Sequence, residues 1–174
     1  ADPGFGPLDP LVKLFMPRLV QKLKVWDFAA AQRPDFLIAN SKLVKSRISK
    51  YYKRESEVIN PPVSTERFKK SDMKDRPDRD DYYLVISRLV TYKRVDLAVQ
   101  ACTKLGKKLI VAGSGPELKN LKRIAGKNVE FILKPTDKEV ANLYARAKAF
   151  IFSANEDFGI TPVEAMAAGC PVIC

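Results

Sequence analysis

Two rhythms of apolar residues divide the chain near Pro62. From Leu11 to Phe28, Val12, Phe15, Met16, Leu19, Val20, Leu23 and Trp26 recur at helical spacing on one arc, with Lys13, Arg18, Gln21 and Lys24 mostly opposite. Residues 1–10, rich in Pro and Gly, read as an irregular lead-in. Phe36-Leu37-Ile38-Ala39 is a short buried-strand pattern, and Asn40-Ser41 supplies a side-chain cap for a helix running to about Tyr52. Glu57–Ile59 forms another short strand, and Asn60-Pro61-Pro62-Val63 an extended link. Residues 64–81 are charged and loop-like, with Asp72, Asp75, Asp78, Asp80 and Asp81 at spacings that match no calcium loop.

From Tyr82 onward the pattern becomes regular. Mainly apolar segments at Tyr82–Ser87, Lys108–Ala112, Val129–Leu133, Ala149–Ser153 and Pro171–Cys174 predict buried strands. Between them lie helical patterns: Val95, Ala98, Val99, Cys102 and Leu105 on one face, then Pro116–Ala125, Thr136–Ala147 and Pro162–Ala168. The third of these opens with the capping box Thr136-Asp137-Lys138-Glu139. The alternation predicts an α/β fold, a Rossmann-like doubly wound parallel sheet. The expected organisation is a first segment, 1–62, and a Rossmann-like domain, 63–174. A last strand with no helix to follow it, and too few strands in residues 1–62 for a sheet, read as a piece of a larger protein.

Composition narrows the chemistry. The 174 residues contain no histidine, which removes Ser-His and Cys-His nucleophilic pairs and His-based zinc sites supplied by this chain. Cys102, Cys170 and Cys174 are odd in number and spaced for neither a disulfide framework nor a zinc knuckle, which favours a reducing, cytoplasmic setting. No apolar run reaches the length of a membrane span. Lys and Arg outnumber Asp and Glu 31 to 20, a formal charge of +11, with excess in both segments. Nucleic acid, anionic lipid and a phosphorylated small ligand are the candidate partners. The helix at 11–28 and the basic residues Lys42, Lys45, Arg47, Lys50, Lys53 and Arg54 fit either a solvated or protein-packed face or an anionic membrane.

In a doubly wound sheet, ligands bind beyond the carboxyl ends of the strands, so the loops there decide function. The first is Ser87-Arg88-Leu89-Val90-Thr91-Tyr92-Lys93-Arg94, which puts cations at a strand end. Another is Gly113-Ser114-Gly115-Pro116, where glycine permits close backbone approach and Pro116 can start a helix. The loop after the fourth strand runs Glu156-Asp157-Phe158-Gly159-Ile160-Thr161-Pro162-Val163-Glu164. Thr161 can cap and Pro162 can be the first helical residue, leaving amide hydrogens for an anion. Glu164 can accept from two neighbouring sugar hydroxyls. Together the loops point to a ligand bearing phosphate and hydroxyls.

At these residues the chain resembles the retaining glycosyltransferases of the GT-B fold, in the family-four group that includes mannosyltransferases. The E-x7-E motif stands as Glu156…Glu164 within EDFGITPVEAMAAGCPVI, SRLVTYKRVDLAV matches the arginine-lysine segment, and VAGSGPELKNL matches the glycine turn. DFLIANSKLVKSRISKYYKRESEVINPPV matches the end of the acceptor domain and the interdomain link. The resemblance implies that Arg88 and Lys93 hold the donor diphosphate, that Glu156 meets the transferred sugar and that Glu164 binds the ribose. Phe158, Gly159 and Ile160 would line the sugar pocket, and Thr161 and its helix would face the phosphate. Gly113 would admit the nucleotide, and Leu133 and Lys134 would meet the base. No metal and no cofactor is implied beyond the donor, GDP-mannose or a UDP-sugar. A hexose would pass with retention to a glycan or lipid-linked acceptor, at the inner face of a membrane. The family places a glycine near Lys134 and a histidine in its first domain, most of which this chain lacks. This chain alone is therefore expected to turn over little.

An anionic-surface or nucleic-acid binding module is the alternative, although aromatics within the basic run amount only to Tyr51 and Tyr52. A dinucleotide oxidoreductase fits less well, because Gly113-Ser114-Gly115-Pro116 lacks a third glycine and follows the second strand.

Overall fold

The computed structural model describes residues 9–68 and 79–174, with side chains from Phe15 onward. The chain divides into two compact units, 1–61 and 62–174. Asp72, Asp75 and Asp78 lie outside the described residues. Asp80 and Asp81 are committed to ion pairs with Arg146 and Lys148 at 2.8 and 2.6 Å.

The first unit holds helix α1 (Asp9–Ala31), strand β1 (Ile38–Ala39), helix α2 (Lys42–Tyr52) and strand β2 (Glu57–Val58). α1 begins inside the segment expected to be an irregular lead-in, and it accommodates Pro17 in its interior. The expected strand at 36–39 shortens to two residues, which pair in parallel with Glu57 and Val58. Ser41 caps α2 by accepting from the Val44 amide at 3.1 Å, as the sequence predicts. Arg54 departs from a purely solvated basic run. Its guanidinium donates to the carbonyls of Ala31, Pro34 and Asp35 at 3.0, 2.6 and 3.0 Å, fixing the turn that leaves α1. The arc of α1 that periodicity marks as apolar, Phe15, Leu19, Leu23 and Trp26 among it, is exposed.

The second unit alternates strand and helix. Its elements are β3 (Tyr83–Ile86), α3 (Val95–Leu105), β4 (Leu109–Ala112), α4 (Leu118–Ile124), β5 (Val129–Ile132), α5 (Asp137–Arg146), β6 (Ala149–Ile151), α6 (Ile160–Ala167) and β7 (Val172–Ile173). The five strands form one sheet, every pairing parallel, in the order β5-β4-β3-β6-β7. Strand alternation splits the core in two. Leu84, Ile110 and Phe150 face Tyr144 of α5, Ala165 of α6 and Phe68. Val85, Leu109 and Val111 face Val95, Ala98, Val99 and Cys102 of α3 and Leu121 of α4. A large side chain such as Phe150 or Leu84, almost wholly buried, contributes about 2–3 kcal/mol. Leu105, expected on the buried face of α3, lies exposed beside Gly106, whose left-handed φ of 61° ends the helix. The capping box of α5 forms in full: Thr136 accepts from the Glu139 amide and Glu139 reaches back to the Thr136 amide.

Candidate functional site

In this strand order the chain builds leftward from β3 through β4 to β5, then returns to place β6 on the other flank of β3. The carboxyl ends of β3 and β6 therefore bound a topological switch point. Three loops meet this edge: 87–94 after β3, 113–117 after β4 and 152–159 after β6.

The first two loops are stitched together by their backbones. Ser87 donates to Ala112 at 3.1 Å, Leu89 to Ser114 at 2.9 Å, and Glu117 back to Leu89 at 3.0 Å. Glycine is required for this. A Cβ on Gly113, whose φ is 141°, would run into the Ser87 carbonyl, and one on Gly115 into the Leu89 carbonyl. The conformational freedom of Gly113 thus helps to seat the loop that carries Arg88. Pro116 does not start the helix, since α4 begins at Leu118 with Glu117 before it.

Lys93 closes a short 3-10 turn, Thr91–Lys93. Its ammonium donates to Glu156 Oε1, joining the loops after β3 and β6 across the switch point. Ser153 Oγ donates to the Lys93 carbonyl at 3.2 Å and ties the same loops a second time. The two charged side chains are 18% and 24% exposed, so this pair is shielded from water more than an ordinary surface pair. Arg88 is exposed and forms no ion pair with a described residue.

α6 begins earlier than expected. Gly159, at φ 83°, is the cap residue and the helix opens at Ile160. Thr161 is consequently the second helical residue and not the cap, and Pro162 is the third and not the first. Gly159 has no side chain with which to cap this end. The Ile160 and Thr161 amides belong to the first turn, whose donors the helix itself cannot pair, and stand beside the half-buried Phe158. Gly159 itself is buried against Phe152, whose ring lies 3.3 Å from where a Cβ would stand.

Glu164, one turn into α6, belongs to a second cluster. Arg67 Nη2 lies 3.8 Å from its Oε1, and Arg67 Nη1 lies 3.4 Å from Asp137 Oδ2 at the start of α5. Burial pushes the Glu164 carboxyl above its ordinary range, with Arg67 and Tyr144 pulling it back and Asp137 adding to the rise. The buried Tyr144 hydroxyl sits close enough to Glu164 for the two to feel each other's charge. Its geometry falls short of a hydrogen bond, and burial first, then Glu164, drives its pKa up. Leu133 and Lys134 stand exposed after β5, and Lys134 adopts φ 50°, a left-handed conformation that suits glycine.

The structure thus brings Lys93 and Glu156 together and puts Phe158, Gly159, Ile160 and Thr161 at one helix end. No described contact links Glu164, Leu133 or Lys134 to that pair. Arg67, Tyr144 and Asp137 were not expected around Glu164. Arg67 sits in a segment that reads as a solvated loop, and its contact with Asp137 spans 70 residues of chain. The only available signal was its place just before an apolar Phe68.

A parallel α/β sheet flanked by helices, with Lys93, Glu156 and the start of α6 at its switch point, defines a Rossmann-like domain. The chain belongs to the family of glycosyl transferases group 1, which matches residues 66–174. It is similar to an O-antigen chain mannosyltransferase of Salmonella typhimurium, 27% identical over 153 residues, covering 83% of this chain and 43% of that protein. It is also similar to a D-inositol 3-phosphate glycosyltransferase of Catenulispora acidiphila, 30% identical over 185 residues, covering 90% of this chain and 42% of that protein. Among solved structures, sucrose-phosphate synthase from Thermosynechococcus elongatus superposes with a TM-score of 0.72 at 21% identity, over 87% of this chain and 43% of that one. The fold is that of GT-B glycosyltransferases. The chain spans less than half the length of the curated relatives it matches.

Proposed function

We propose that residues 62–174 form the nucleotide-sugar donor site of a retaining glycosyltransferase that moves a hexose, mannose or glucose, to a glycan or lipid-linked acceptor. The observation that carries this reading is the Lys93–Glu156 pair across the switch point, on the loop that leads into α6 at Gly159. Arg88, Lys93 and the Ile160 and Thr161 amides supply positive potential where a diphosphate leaving group gathers charge. That set does the work of a metal ion with protein groups alone. Glu156, held by Lys93, stands where the transferred sugar would meet an oriented carboxylate. Phe158, Gly159 and Ile160 would line the sugar pocket. Glu164 would accept from the ribose hydroxyls, and Leu133 and Lys134 would face the base.

The chain spans less than half of its curated relatives, and by itself it is expected to bind donor with little or no turnover. Exposed Lys42, Lys45, Lys50 and Lys53 on and beside α2 suit a peripheral contact with anionic lipid. Co-flotation with phosphatidylglycerol vesicles at low salt tests that contact, and absence of co-flotation removes it. The donor site is tested by titration calorimetry with GDP-mannose, UDP-glucose and UDP-N-acetylglucosamine. Expected is measurable binding of one nucleotide class. A folded chain that binds none of the three, and binds polynucleotide instead, overturns the reading in favour of an anionic-surface module.

A further inference from the structure

We infer that Arg67 is the positioning residue for Glu164: it holds that carboxylate charged and aimed while leaving most of its lone pairs free for a ligand's hydroxyls. The inference rests on the reading of Glu164 as the ribose-binding group. The geometry that carries it is a cation held on several sides. One arm of the guanidinium meets Asp137 at 3.4 Å and another approaches Glu164 at 3.8 Å. The Phe68 ring lies 4.8 Å from its central carbon. Phe68 is itself buried and packed edge-on against Tyr144, with ring centres 5.7 Å apart. Cation–π contact and the Asp137 pair therefore bias the orientation of this half-exposed guanidinium independently of Glu164.

Glu164 needs such a partner. Its side chain is only 16% exposed, and carboxylates that lose water without a compensating cation take up a proton. The groups facing it are Arg67 from the turn and Asp137 and Tyr144 from α5, with the Cys170 thiol on Tyr144. Among them Arg67 is the cation. Asp137 is like-charged, and the Tyr144 hydroxyl, near Glu164 but outside good hydrogen-bond geometry, lowers its pKa less than Arg67 does. A carboxylate offers about four acceptor sites, and one long contact to Arg67 leaves the others for two vicinal hydroxyls.

The sign of the pH dependence follows. Hydroxyls donate to the ionised carboxylate, so ribose recognition is present above the Glu164 pKa and is lost as pH falls through it. Burial raises that pKa and Arg67 opposes the rise, so removing Arg67 moves the acidic limb to higher pH.

The test combines two measurements on the full chain, its Arg67→Ala and Arg67→Lys variants, and Glu164→Gln. Carbon-13 NMR titration follows the Glu164 carboxyl, assigned by its disappearance in Glu164→Gln. Calorimetry from pH 5 to 8 compares UDP and GDP with their 2′-deoxy forms. Expected in Arg67→Ala is a carboxyl titrating at higher pH than in wild type, and roughly tenfold weaker ribonucleotide binding between the two acidic limbs. The deoxy forms should be nearly unaffected, and Arg67→Lys should fall between wild type and alanine. An unmoved carboxyl titration overturns the inference, as does equal loss for ribo and deoxy forms at every pH. Failure of the wild-type chain to bind any nucleoside diphosphate would instead overturn the donor-site reading, while the NMR titration still decides whether Arg67 governs Glu164.

Discussion

Gly113→Ala is expected to destabilise the second unit by about 3–5 kcal/mol, more than the same change at Gly106 or Gly115. The methyl would be driven into the Ser87 carbonyl, a backbone atom of the central strand's exit with no rotamer to escape through. Yielding there strains three short hydrogen bonds: Ser87 to Ala112, Leu89 to Ser114, and Gly113 to Ile132 at 2.9 Å. Each contributes about 0.5–1.5 kcal/mol. The φ of 141° adds a conformational cost for any residue with a Cβ. Two other glycines separate these causes. Gly106→Ala meets nothing within 4 Å and bears only its left-handed φ of 61°, so it should cost about 1 kcal/mol. Gly115→Ala has ordinary φ and a collision with the Leu89 carbonyl, so it should fall between them. Urea denaturation followed by circular dichroism ranks the three, and a Gly113→Ala curve no weaker than that of Gly106→Ala would show that the loop seating is not as tight as drawn. Because Arg88 follows Ser87 directly, Gly113→Ala should also weaken nucleotide binding in whatever fraction stays folded.

The alternation of apolar runs and helical faces after Tyr82 made the parallel sheet legible before any coordinates. Wholly apolar segments such as Leu109–Ala112 are buried on both faces and leave no other placement. The strand order was not legible. Nothing in the periodicity says that β6 returns to the flank of β3, although that return creates the switch point. Local chemistry was read well where it depends on neighbours in sequence, as at Ser41 and the Thr136–Glu139 box. It was misread at α6, where Thr161-Pro162 carries an orthodox cap signal and the backbone turns two residues earlier at Gly159. Only a left-handed glycine packed on Phe152, a residue from β6's exit, explains that shift. The α1 arc shows the converse limit. Periodicity identifies an apolar face without telling what covers it, and Phe15, Leu23 and Trp26 are exposed. Arg67 escaped notice because its role exists only after the α5 and α6 starts are brought side by side.

Replacing Arg88 and Lys93 together with alanine is expected to weaken nucleoside diphosphate binding at least a hundredfold, the largest functional effect of the substitutions considered. Charge-assisted bonds to phosphate contribute about 1.5–3 kcal/mol each, and about 1.4 kcal/mol is tenfold in affinity. The two residues should not contribute equally. Arg88 is exposed and unpaired among the described residues, so its loss removes attraction and little else. Lys93 is paired with Glu156, so Lys93→Ala also leaves a carboxylate unneutralised where a diphosphate must approach. The single Lys93 variant should therefore lose more than the single Arg88 variant. Adding Glu156→Gln to Lys93→Ala should recover part of the diphosphate affinity without restoring recognition of the sugar. Calorimetry with UDP, GDP and the matching nucleotide sugars checks each step. Equal binding by wild type and the double alanine variant would place the anion site elsewhere. A Glu156→Gln change that fails to help would mean that Glu156 lies too far from the phosphates to oppose them. The steepness of the salt dependence should drop with each cation removed, since fewer counterions are exchanged when the nucleotide binds.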